Sequence, residues 1–329
     1  SYTNGLDKPS DYFNTKLYSA SGSGQSITGV GFQPDWTWIK ARSDGGGHAL
    51  YDSVRGTTKR LASHNNNAEG TVSGGVTAFD ADGFTVGNDG DVNSASSIAS
   101  WNWKKTATAG FDIVAYTGTG SSNAVSHSLS ATPNMMIIKN RDDSDSWYVW
   151  HQGLGAVATN YIVLDTTGAA SSVDNGIIAL SSSNFTVNTR GDVNENNMKY
   201  IAYCFAEKKG YSKFGSYTGN GSTDGTFVYT GFKPAFVICK ASSVGGSVGY
   251  AWSMFDNKRS SYNIERSQLE ANTSDAQQTD ASGDIDLLSN GFKFRNSASE
   301  NNQSGATYIY MAFAENPFTT STGVPATAR

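Results

Sequence analysis

Along this chain the apolar positions come in short runs rich in Val, Ile, Tyr, Phe, Trp and Thr, each closed by Gly, Asn, Asp or Ser. That texture is the signature of strands separated by tight turns. It predicts strands near residues 12–19, 25–30, 36–42, 48–51, 77–79, 84–86 and 98–104. A second series follows near 111–116, 124–129, 135–140, 147–150, 161–164, 177–180, 185–187 and 200–206, and a third near 211–217, 226–230, 236–240, 250–254, 284–288, 292–294 and 308–314. No window carries a convincing helical period, and the stretch 262–270 comes nearest to one.

The three series are one pattern repeated. GFQPDWTWIKAR at 31–42 returns as ATPNMMIIKNR at 131–141 and as GFKPAFVICKAS at 231–242. Pro34, Pro133 and Pro234 lie 99 and 101 residues apart, and Lys40, Lys139 and Lys240 keep the same intervals. Tyr18, Tyr116 and Tyr217 each precede a turn. The last strands align Trp103 with Phe205 and Phe313, and Trp101 with Tyr203 and Met311. Alternation puts both of these columns on one face, read as the core face. Trp36 and Trp38 give way to Met135 with Ile137 and to Phe236 with Ile238, so that column is read as buried packing as well.

The expected fold is therefore all-β, with three tandem antiparallel β-sandwich units, jelly-roll or lectin-like, of about 100 residues each. The boundaries read 1–17 as an extended lead-in, 18–105, 110–208 and 211–315 as the units, and 316–329 as a tail. Linkers of about ten residues should hold neighbouring units in a fixed orientation, as a rigid string or a compact triangle.

Composition narrows the function. Only 16% of residues are charged, against about 25% in typical globular domains, so the polarity is mainly hydroxyl and amide. A net charge of -5 without a Lys/Arg cluster argues against nucleic acid. No apolar run reaches about eighteen residues, so no membrane insertion is expected. Cys204 and Cys239 lie in apolar strand runs and read as small buried hydrophobes.

Chemistry is harder to find. The chain has no GxSxG, GxxxxGK, HExxH or CxxC motif, and His48, His64, His127 and His151 are dispersed. It reads as no enzyme, with no cofactor. Asp89, Asp91 and Asn93 in GNDGDVN recur in part as Asp192 and Asn194 in TRGDVNEN. Their oxygens make a weak calcium candidate, and Asx turns account for the same residues without an ion. Arg190-Gly191-Asp192 spells an adhesion tripeptide, which a Gly/Asp-rich turn produces by coincidence. Asp52 and Arg55 of the DSVRG segment, read as absent from the second and third units, suit a structural ion pair or a partner contact. Of the seven tryptophans, core packing is the default for most, while alternation should send some outward, where stacking on a sugar or a subunit is available. The loops 43–47, 142–146 and 242–249 are where contacts are expected, with Asp44, His48, Asp52, Arg55, Asp143, Trp147 and Trp252 as the candidate contact residues.

GLDKPSDYFNT, GFQPDWTWIKAR, HALYDSVRG, AFDADGFTVG, ASWNWK and AENPFTTSTGVPATAR together resemble a repeat family of tailed-phage proteins, marine and environmental phages among their sources. Its members look like virion structural proteins encoded among tail fibre, appendage or capsid-surface genes. The resemblance implies a protein on the virion surface that assembles with itself as a homo-oligomer, a trimer being the guess, and with other virion proteins. Contact with a host-surface glycan follows from the same reading. The alternatives are a carbohydrate-binding lectin-like module and a subunit of a non-viral extracellular filament.

Overall fold

Turn residues cut the chain into short strands, and the hydrophobic alternation decides how those strands are layered. The computed structural model describes residues 6–319 apart from 96, 173–174, 247–249 and 261, together with 322, 323, 325 and 327. Its first segment holds β1 (Phe13–Tyr18), β2 (Gln25–Thr28), β3 (Trp36–Ala41), β4 (His48–Asp52), β5 (Lys59–Arg60), β6 (Gly70–Thr71), β7 (Val76–Asp80), β8 (Gly83–Val86), a one-turn helix α1 (Gly90–Asn93) and β9 (Ile98–Trp103). The second holds β10 (Phe111–Thr117), β11 (Asn123–Ser126), β12 (Met135–Asn140), β13 (Tyr148–His151), β14 (Ile162–Val163), β15 (Ile177–Leu180), β16 (Asn184–Val187), α2 (Gly191–Asn194) and β17 (Lys199–Phe205). The third holds β18 (Ser212–Thr218), β19 (Phe227–Tyr229), β20 (Phe232–Ala241), β21 (Ser253–Asp256), β22 (Leu269–Glu270), β23 (Ile285–Leu288), β24 (Gly291–Phe294) and β25 (Thr307–Pro317).

Each segment makes a larger antiparallel sheet and a smaller one, and the first also pairs β5 with β6. The larger sheets run β1-β9-β3-β4, β10-β17-β12-β13-β14 and β18-β25-β20-β21-β22; the smaller run β2-β8-β7, β11-β16-β15 and β19-β24-β23. The fold is all-β and sandwich-like. The stretch 262–270, the most helix-like in sequence, makes no helix. There the Glu265 N–H donates to the Ile285 carbonyl and the Ile285 N–H to that of Glu265, and the stretch ends in β22.

An antiparallel sheet usually has one wet face. Here the strands at the centre of the larger sheets are buried on both faces: every residue of β3, β9, β12 and β20 is buried. One face packs on the smaller sheet of its own segment, which gives three local cores around Phe84, Phe185 and Phe292. The opposite faces meet one another in a single shared core that holds Trp36, Trp101 and Trp103, Tyr203 and Phe205, and Phe236, Met311 and Phe313. The Trp103, Phe205 and Phe313 column therefore faces a core, but one built by three sheets together.

The rings show how closed this core is. Trp36 stacks on Tyr203 with centroids 4.5 Å apart, joining the first pair of sheets to the second. Phe205 lies 6.1 Å from Phe313, joining the second to the third, and Phe13 stacks on Phe313 at 5.3 Å, joining the third to the first. The arrangement is the compact triangle, and the string is excluded. All seven tryptophans are buried, so the expectation that some project outward is corrected. The faces that alternation marks as outward are covered by the neighbouring sheet pairs.

Within each sheet pair the recurrent polar residues act as staples. The hydroxyls of Tyr18, Tyr116 and Tyr217 donate to the carbonyls of Val92, Val193 and Asn301 at 2.8, 2.6 and 2.7 Å. The Asn93 and Asn194 side chains, each in a one-turn helix, and Asn302 accept the N–H of Ser21, Thr119 and Asn220. They donate back to loop carbonyls, and so fix the entrance to the last strand.

Phe313 touches rings from all three sheet pairs. Phe313→Ala is expected to cost about 3–5 kcal/mol and to lower the urea midpoint while tryptophan fluorescence and far-ultraviolet circular dichroism keep one coincident transition. Separate transitions would show that the sheet pairs do not depend on the shared core.

Candidate functional site

Polar residues with the capacity for chemistry gather at the three seams of the triangle. Asp52, His151 and Asp256 occupy one structural position, opposite Trp36, Met135 and Phe236 in register. Asp52 Oδ1 accepts from the Arg55 N–H at 2.8 Å, and Oδ2 accepts both Arg55 Nε at 2.5 Å and the Tyr203 hydroxyl of the next sheet pair at 2.8 Å. Asp256 repeats this with the Arg259 N–H at 3.0 Å and Nε at 2.5 Å, and accepts Trp101 Nε1 of the first sheet pair at 3.0 Å. The DSVRG arrangement is thus not confined to the first segment, since DNKR at 256–259 reproduces it. At the middle position His151 takes over: Nδ1 accepts from the Gly153 N–H at 2.9 Å, so Nε2 donates to the Tyr310 carbonyl of the third pair at 3.0 Å.

A second column ties the sheet pairs in the opposite direction. His48 opens β4, and Trp147 and Trp252 immediately precede β13 and β21, each four residues before Asp52, His151 and Asp256. His48 Nε2 meets the Glu270 carbonyl at 2.9 Å, Trp147 Nε1 the Ala62 carbonyl at 2.9 Å and Trp252 Nε1 the Val163 carbonyl at 2.9 Å. Each of these carbonyls belongs to the preceding sheet pair. A third set of bonds closes the rim: the N–H groups of Glu69, Ala170 and Gln277 donate to Arg141, Ser242 and Arg42 at 2.8, 2.9 and 2.9 Å. Arg141 also grips Glu69 with two bonds, at 2.9 and 3.0 Å.

These ties account for most of the residues the sequence marked as contacts. Asp52, Arg55, His48, Trp147 and Trp252 are buried, so they face neighbours within the chain and no outside partner. Asp44 and Asp143 are exposed, and their carbonyls accept from Lys40 and Lys139. The loops after the third strands touch the adjacent sheet pair: the Asn66 side chain donates to the Ser144 carbonyl at 3.0 Å. Residues 247–249 of the third loop lie outside the described residues.

The calcium candidates are engaged in the same way. Asp89 caps α1, and Asp91 accepts Arg60 at 2.5 Å and the Gly47 N–H at 2.7 Å. Asp192 pairs with Arg190 at 2.6 Å inside the adhesion-like tripeptide, and the Arg190 guanidinium lies 3.8 Å from the centre of the Tyr161 ring. Asn93 and Asn194 are the staples already described. The oxygens are used by protein donors.

Burial controls the protonation of the seam groups. It holds His48 well below the usual imidazole value, and it holds His151 at about 4. Burial would lower Arg55, but the Asp52 carboxylate outweighs it and raises it. For Asp256 burial pushes upward, and Arg259 with the Lys258 and Trp101 donors brings the carboxyl below its usual value. Lys40, Lys139 and Lys240 are all buried, donate to the carbonyls of Ala41, Asn140 and Ala241 at 2.7, 2.6 and 2.8 Å, and are lowered by burial to about 8. The third sheet pair also brings Glu270 beside Glu300, which sequence did not single out. Burial and then the Glu300 charge raise Glu270 to about 8.

Outward, the sheet pairs differ. Phe227 and Tyr229 on β19 are 44% and 58% exposed. Tyr229 walls a cleft of about 320 Å³ with Glu207, Lys213 and Thr230. The signal lay in the repeat itself, because β2 and β11 carry Ser26, Thr28, Ala124 and Ser126 where β19 carries the two rings.

The chain belongs to the family of a domain of unknown function, DUF7483, whose model matches residues 8–317. That single match spans all three sheet pairs. Among curated proteins none matches the chain.

Removing one member of a buried ion pair strands the other. Asp256→Ala is expected to cost about 3–5 kcal/mol in urea unfolding, and Asp256→Leu with Arg259→Met to cost less than the single change. The lysines give a pH signature. The folded value near 8 lies below the ordinary value of 10.5, so the unfolded chain binds more protons between the two, and stability from these groups rises with pH across that window. Comparing urea midpoints at about pH 7.5 and 9.5, Lys240→Met should flatten the rise relative to the parent chain; an unchanged slope would count against a neutral buried lysine.

Proposed function

We propose that this chain is a structural protein of a tailed-phage virion, a fibre, spike or surface-decoration component without catalysis. The seam carries this reading. Carboxylates, guanidinium groups and imidazoles that could do chemistry are fastenings between sheet pairs, each locked by a partner from elsewhere in the chain. Such a body offers a fixed shape to its surroundings. Both cysteines are buried and free, so its cohesion comes from packing and hydrogen bonds, which suits an oxidising or a reducing environment alike.

The resemblance to tail fibre, appendage and capsid-surface proteins supports the particle setting. The partners proposed are further copies of the chain, as a trimer, and other virion proteins. Because the inward faces of the larger sheets are already spent on one another, those contacts use the outer faces of the smaller sheets and the loops. A second reading, contact with a surface glycan, is favoured by the exposed Phe227 and Tyr229 beside a polar cleft.

Antibody against the chain, bound to purified particles and viewed by electron microscopy with gold, should label one fixed position at a constant copy number. Protein found in the lysate while particles stay unlabelled would overturn the reading.

A further inference from the structure

The three smaller sheets provide an internal control for what one of them has acquired. β2, β11 and β19 are equivalent edge strands: Ile27, Val125 and Val228 point inward and stand opposite Phe84, Phe185 and Phe292. Their neighbours point outward by alternation. In the first two strands those neighbours are Ser26, Thr28, Ala124 and Ser126, which cost nothing in water. In the third they are Phe227 and Tyr229, and neither is needed to fill a core. Of the six large hydrophobic side chains exposed among the described residues, four (Phe227, Tyr229, Tyr262 and Ile264) belong to the third sheet pair.

The surroundings of the two rings define the chemistry of an occupant. Tyr229 stands opposite Gly291, which offers no side chain, and the Phe227 ring leans over that glycine so closely that a Cβ there would lie 3.0 Å from it. The rings therefore form a short open platform. Charged pairs border it: Lys293 with Asp224 at 2.7 Å, Arg295 with Asp286 at 3.6 Å, and Lys213 with Glu207 at 2.7 Å in the cleft that Tyr229 walls. An apolar helix or strand laid here would have to bury those charges, which is costly. A sugar ring avoids that cost, because its C–H face stacks on an aromatic ring while its hydroxyls bond to charged and polar groups at the edge.

We propose that Tyr229, with Phe227 beside it and the Glu207–Lys213 pair at its rim, forms a saccharide-binding subsite found only in the third sheet pair. The site rests on the glycan-contact reading and gives it a location. Tyr229 supplies the stacking face, and Lys213 and Glu207 supply hydrogen bonds to hydroxyls.

The full chain should be applied to an array of bacterial surface oligosaccharides, and the best-bound free oligosaccharide titrated by calorimetry. Tyr229→Ala should weaken binding roughly tenfold or more, Tyr229→Phe should keep it within a few-fold because the stacking face remains, and Lys213→Met should weaken it from the rim. Ser26→Ala on the equivalent strand should change nothing. The melting temperature of Tyr229→Ala should match the parent, since the ring is exposed. Three results overturn the proposal: no array binding by the folded chain, binding that survives Tyr229→Ala, or loss of self-association in sedimentation as the sole effect of Tyr229→Ala, which would make this a protein contact. Particle labelling is independent of all three, so a failed array with labelled particles removes this subsite and leaves the virion reading in place.

Discussion

Each larger sheet has two apolar faces, and a single smaller sheet covers only one of them. The rest of the structure follows from that constraint. The uncovered face of one sheet pair, with Trp36, Trp101 and Trp103 on it, would lie in water if the pair stood alone, a patch far beyond what isolated domains tolerate. Three such faces closing on one another remove the problem at once, and the stacking of Trp36 on Tyr203 and of Phe13 on Phe313 gives the closure a defined geometry. The sheet pairs are therefore parts of one body with a shared core, in keeping with a family model that spans all of them.

Apolar closure is non-directional and leaves the rotation of each sheet pair loosely set. The polar seam supplies direction. Asp52 to Tyr203, His151 to Tyr310 and Asp256 to Trp101 all run from one sheet pair to the next in the same sense. The His48, Trp147 and Trp252 contacts run in the opposite sense, each back to the preceding sheet pair. A buried carboxylate is tolerable at two of these positions because Arg55 or Arg259 neutralises it in place. The middle position has no such arginine, and a neutral imidazole with one ring nitrogen accepting and the other donating does the same work. The lysines at the far ends of the strands donate to neighbouring carbonyls, and burial depresses their affinity for a proton.

With the inner faces committed, variation is free to accumulate outside. The first and second smaller sheets present hydroxyls and methyl groups, and the third presents Phe227 and Tyr229 among ion pairs. A threefold scaffold with one altered lobe can keep its fold while only that lobe takes on recognition. The longer segment between β21 and β23 belongs to the same lobe, which concentrates both kinds of departure in one place.

Alternation, turn residues and the repeat together made the strands, their order and the Tyr18, Tyr116 and Tyr217 column legible in the sequence, because these depend on neighbours a few residues away or on one strand spacing. The calcium candidates read first as Asx turns, and their oxygens accept from protein donors. What covers a face is a different matter. Alternation says that Trp101 and Trp103 share a side of β9, but only the fold brings Phe236 and Phe313 against that side from more than a hundred residues away. The same distance hid the seam, since Asp52 and Arg55 look like a surface pair until Tyr203 arrives over them. Local sequence determined which residues could be buried or exposed; the meeting of three sheets decided which were, because the free energy of a polar or aromatic side chain is set by its partners in space.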